Sequence, residues 1–129
     1  MTTTPGADLR ADAAARRASE PAPGAPLVYR ALGQYDAAFE AVVWPDGRFR
    51  TESGSYVTRG VREGHLARGR HAALRALARA VAWRDYEAPP GAEGFGAEIT
   101  WGARRVRWWG PAAAADPALG ALVRALAAL

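Results

Sequence analysis

His65 and His71 are the only imidazoles in the chain. Six positions apart across a loop-to-helix junction, they lack the four-residue spacing that puts two ligands on one helical face. Both read as surface residues. Thr51, Ser53, Ser55 and Thr58 lie near His65 in sequence, yet none sits in the strand–turn–helix elbow that activates a nucleophilic serine. The carboxylates Glu52, Glu63, Asp85, Glu87, Glu93 and Glu98 are scattered, with no pair set to flank a cleft and divide acid from base. The glycine-rich run Gly91–Gly96 precedes a strand, so it offers no helix N-terminus to a phosphate. The chain has no cysteine, which removes thiolate nucleophiles, disulfides and Cys-based zinc sites. No catalytic residue, metal ligand or cofactor site emerges, and a non-enzymatic protein is expected.

Arginine and tryptophan carry the remaining chemistry. All 17 basic Lys+Arg positions are arginine, and five tryptophans are present. Heavy use of Ala, Arg, Gly and Pro fits a GC-rich bacterial genome, which weakens any argument that arginine was chosen for its chemistry. The net charge of +4 is modest, so nucleic-acid binding is allowed but not demanded.

Residues 97–109 read as a hairpin turning at Gly102-Ala103, with glycine at the first central position of a two-residue type II′ turn. Side chains alternate across the two faces. One face carries Ala97, Ile99, Trp101, Val106 and Trp108. The other carries Glu98, Thr100, Arg105, Arg107 and Trp109. A second hairpin, Ala38–Trp44 and Arg48–Ser53, turns at Pro45-Asp46-Gly47. It divides in the same way, with Phe39, Ala41, Val43, Phe49 and Thr51 against Glu40, Val42, Trp44, Arg48, Arg50 and Glu52. If the hairpins lie side by side, Trp44, Arg48, Arg50, Arg105, Arg107 and Trp109 gather on one uncovered sheet face. Tryptophan and arginine are the types enriched at interface hot spots, and they also stack on single-stranded bases. The bland reading is that Glu40, Glu52 and Glu98 pair with these arginines on a solvated sheet.

The elements that must position this face follow from periodicity. Residues 1–26 lack large apolar side chains and read as a disordered tail. Residues 27–129 form one domain. Leu27–Leu32 is a strand, and Gly33–Asp36 a loop. Tyr56–Leu66 is glycine-interrupted and irregular, with an edge strand at Tyr56–Thr58 or Val61–Leu66. A helix runs from Arg68 or Gly69 to Trp83, with Leu74, Leu77 and Val81 on one side and Arg68, Arg75 and Arg79 on the other. Glu87–Gly94 is a breaker-rich loop. Asp116-Pro117 starts a second helix whose stripe is Leu119, Leu122, Val123, Leu126 and Leu129. That stripe reads as core rather than as a dimer seam. The order predicts an α+β domain of two layers, an antiparallel sheet with two amphipathic helices on one face.

The stretch Phe39–Phe49, the helix from Leu74 to Trp83 and the last strand pair with its leucine-rich helix resemble emfourin-like domains. These are small α+β bacterial inhibitors of thermolysin-like metallopeptidases, with related uncharacterised domains. The resemblance spans about residues 27–129 and implies the fold and an inhibitory function, but it assigns no site residues here.

The leading expectation is a protein-binding module acting through the Arg/Trp face or the loops Gly33–Asp36 and Glu87–Gly96. Its partner would be another protein, either a peptidase or a second copy of the chain. Nucleic-acid binding is the disfavoured alternative, since no RNA-binding aromatic signature is present. With no basic region leading into an apolar run and no span of membrane length, a cytoplasmic protein is expected.

Overall fold

The computed structural model describes residues 24–32, 38–54, 59–91 and 96–129. The expected tail through residue 23, the loop Gly33–Asp36, the strand option at Tyr56–Thr58 and residues 92–95 lie outside them.

The fold is α+β. Its strands are β1 (Leu27–Leu32), β2 (Ala38–Val43), β3 (Arg48–Gly54), β4 (Arg59–His65), β5 (Ala97–Trp101) and β6 (Arg104–Trp108). Helix α1 (Arg68–Ala80) follows β4, and α2 (Ala112–Ala115) and α3 (Pro117–Ala127) follow β6. All six strands join one antiparallel sheet in the order β4-β3-β2-β1-β5-β6.

Both hairpins form in the expected register. Val43 opposes Phe49 and Ile99 opposes Val106. Gly47 and Gly102 take positive φ of 91° and 63°, the conformations their turns require and that glycine adopts without steric cost. In the first turn the Asp46 carboxylate also accepts the Arg48 N–H at 3.0 Å.

The register puts Leu27, Tyr29, Ala41, Val43, Thr51, Ile99, Trp101, Val106 and Trp108 on one sheet face, and all are buried. They share a single core with Leu74, Ala78 and Val81 from α1 and its end, and with Leu119, Leu122 and Leu126 of α3. Tyr29 stacks on Trp108, with ring centroids 6.0 Å apart and planes at 17°.

Three local features differ from the sequence reading. Helix α1 ends at Ala80 rather than Trp83. The Trp83 indole N–H donates to the Ala78 carbonyl at 3.0 Å and its ring packs on Trp101, so the last turn is capped by a side chain instead of being extended. Ala112–Ala115 forms a short helix that no periodic pattern signals. The edge strand expected at Val61–Leu66 forms as β4, but it starts two residues earlier and runs through seven residues to His65. Its core-side positions are Gly60, Arg62 and Gly64, so no large apolar side chain marks it. Phe49 lies against Gly64 so closely that an added Cβ would come within 2.5 Å of the ring.

Asp116 does start α3. It accepts from the Ala118 N–H at 3.1 Å and also from the Ala82 N–H at 3.1 Å. One carboxylate thus caps the new helix and ties it to the chain leaving α1.

Candidate functional site

The face opposite the core is built row by row from the registers. One row reads Glu63, Arg50, Val42, Val28, Thr100 and Arg105 from β4 to β6. The next reads Val61, Glu52, Glu40, Arg30, Glu98 and Arg107. Trp44 and Trp109 follow at strand ends on the same face.

All six candidate residues lie on this face, but they do not form one patch. Strand β1 separates the two hairpins, so the hairpins are not neighbours. From Trp44 to Trp109 the register runs three strands across and six residues along. At ordinary strand spacing and rise that is about 25 Å, corner to corner. One corner holds Trp44, Arg48 and Arg50, and the other Arg105, Arg107 and Trp109. Val28 and Val42, both half-buried, oppose each other between them. No periodicity within either hairpin could have revealed the inserted strand, because its pairing is non-local.

Each candidate guanidinium has a carboxylate. Arg48 donates to Asp46 at 2.8 Å and sits 5.3 Å from the Trp44 ring. Arg50 lies 3.6 Å from Glu63 and 4.0 Å from Glu52. Arg107 lies 3.9 Å from Glu98 and 5.5 Å from the Trp109 ring. Arg105 makes a two-pronged contact with Asp85, its Nε donating at 3.2 Å. That contact holds the Asp85 carboxyl below the usual carboxylate range and the Arg105 guanidinium above its ordinary value. Asp46 is likewise lowered, chiefly by the backbone N–H of Arg48. Between the corners, Arg30 donates to Glu40 at 2.9 Å. These pairs are largely solvent-exposed, so screening leaves each worth little to stability. Their effect is on the field. In the ion pairs among the described residues five arginines meet six carboxylates, so these paired groups carry no net positive charge.

Trp109 has a structural task as well. Its ring covers Gly96 so tightly that a Cβ there would meet it at 2.9 Å. Sequence reasoning foresaw Glu98 opposite Arg107, a local register pair. It missed Asp85, which is twenty positions from Arg105 and signalled by nothing in either segment.

A cleft of about 870 Å³ at the β5–β6 turn is lined by Val81, Trp83, Asp85, Thr100 and Arg104, among others. Its ionisable groups are arginines and one paired aspartate, a set without a nucleophile–base arrangement. Among the described residues no group of three or more His, Asp or Glu is placed to hold a metal ion. No described helix is long and apolar enough to cross a membrane.

The fold is that of a small α+β protein with a sheet face opposite the core whose described ion pairs balance in charge. No protein-family model, curated protein or solved structure matches the chain.

Proposed function

We propose that this chain is a non-enzymatic protein-binding module, and that its recognition surface is the uncovered sheet face with Trp44 and Trp109 at opposite corners. The observation that carries the reading is the charge balance of the ion pairs described on that face, five arginines against six carboxylates. A polyanion gains affinity by releasing counterions to unpaired cations, and the paired groups described on this face offer no excess of cations. A protein surface of mixed charge, with an apolar spot to meet Val28 and Val42, is the complementary shape. Six strands span about 24 Å and the rows about 20 Å, an area below the roughly 800 Å² that each partner buries in a standard complex. The interaction is therefore of the transient class.

The test is affinity capture with the wild type and with a Trp44→Ala/Trp109→Ala variant whose fold is verified by circular dichroism. The reading expects specific partners to be depleted from the variant. Equal recovery of every captured protein by both would overturn it.

A further inference from the structure

The two edges of the sheet are treated differently. At β6 the chain returns to close the edge: Tyr86 N–H donates to the Arg107 carbonyl at 2.9 Å, and Asp85 bridges Arg107 in parallel. At β4 no described strand pairs with the outer side.

The hydrogen-bond parity of that outer side follows from one contact. Leu66 N–H donates to the Gly47 carbonyl at 2.8 Å, continuing the β3–β4 register. In an antiparallel ladder the bonded pairs alternate, so Gly64, Arg62 and Gly60 bond inward to β3. Arg59, Val61, Glu63 and His65 then direct their backbone N–H and C=O groups outward. Such an edge is a template for a further strand.

We propose that the β4 edge pairs with β4 of a second copy of this chain, antiparallel and centred on Val61, to make one twelve-stranded sheet. A two-fold axis normal to the sheet keeps faces together, so opposed residues must share parity. Centring on Val61 sets Val61 against its own mate, position 59 against position 63, and position 63 against position 59. The outward groups of residues 59, 61 and 63 meet no strand among the described residues, so these three pairs exchange six backbone hydrogen bonds. The residue types agree. Arg59 opposes Glu63 twice over, a favourable cross-strand combination. At the axis sits Val61, 48% exposed and the only large hydrophobic exposed among the described residues. On the other side of the sheet, Gly60 opposes Arg62 and leaves the longer side chain room. Centring on Arg62 instead would set arginine against arginine. The alternative, an edge merely protected by Arg59, Arg62 and Glu63, predicts a monomer.

This inference is independent of the sheet-face reading, although pairing would double the open face. Sedimentation velocity over a concentration series tests it. The wild type should shift from 13.7 kDa toward twice that mass. Glu63→Arg makes both outer pairs repulsive and should weaken association by about tenfold or more. The swap Arg59→Glu/Glu63→Arg restores complementarity and should recover it.

Because the chain has no cysteine, Val61→Cys places a single thiol at the axis. Bonded antiparallel partners have Cα atoms about 5.5 Å apart, within disulfide reach, so it should oxidise to a dimer. Glu63→Cys should not, since its mate lies about 14 Å along the strand. A wild type that stays monomeric into the sub-millimolar range overturns the proposal. So does a swap that recovers nothing, or equal cross-linking from positions 61 and 63.

Discussion

Gly120 and Gly69 both lie in helices, and intrinsic propensity favours alanine at each by about 1 kcal/mol. The structure reverses the sign at Gly120. A Cβ there would meet the Cα and Cβ of Ala113 at 2.7 Å and its backbone N at 3.0 Å. Ordinary contact begins near 3.4 Å, so α2 must move from α3 by about 0.7 Å against backbone rather than against a flexible side chain. Overpacking of this kind costs about 1–3 kcal/mol. Set against the propensity gain, Gly120→Ala should be destabilising by about 1 kcal/mol, reaching about 2 if α2 cannot yield. At Gly69 nothing lies within 4 Å of the added Cβ, and Gly69→Ala should stabilise by about 0.4–1 kcal/mol. Thermal melts read this as a drop of several degrees for one variant and a rise for the other, at about 4–8 °C per kcal/mol for a domain this size. If Gly120→Ala raises the melting temperature as much as Gly69→Ala does, the close α2–α3 approach is refuted.

Other outcomes follow from the same geometry. Trp108→Ala removes a buried ring stacked on Tyr29 and should cost about 3–5 kcal/mol, while Trp44→Ala, half-buried at a sheet corner, should cost about 1; similar losses in denaturant titrations would contradict the assigned faces. His71 lies below its ordinary pKa of 6.5, chiefly through burial and then through the charge of Arg75. In the window just below 6.5 the unfolded chain therefore holds more protons, and stability should rise with pH there. His71→Gln should flatten that rise, and unchanged slopes would refute it. A single-stranded oligonucleotide should leave tryptophan fluorescence flat even at low salt, whereas salt-sensitive quenching would favour nucleic acid over a protein partner. The inhibitory reading implied by the emfourin resemblance expects a thermolysin-like peptidase to lose activity in excess protein; full activity at micromolar concentration removes it.

The parts legible in the sequence were those governed by local pattern. Gly102 and Pro45-Asp46-Gly47 set the turns, the turns set the registers, and the registers sorted Trp101 and Trp108 from Trp109. Asp116-Pro117 marked its helix for the same reason, since a cap is a short-range device. What escaped was non-local. Leu27–Leu32 was legible as a strand, but nothing in it says that it inserts between the hairpins. That single placement divides the candidate site into two corners. Strand β4 was legible only as one of two edge-strand options, because its glycines and charges leave no large apolar stripe; pairing to β3 and Phe49 lying on Gly64 set its bounds. Asp85 reaches Arg105 only because α1 ends early and returns the chain along β6.

The most direct test of the central claim is covalent surface footprinting of the purified protein against the same protein in cell extract. The account predicts protection of Trp44, Trp109 and the Val28–Val42 centre, with the Arg68–Arg79 face of α1 unchanged. Protection confined to α1, or no difference at either tryptophan, would contradict it.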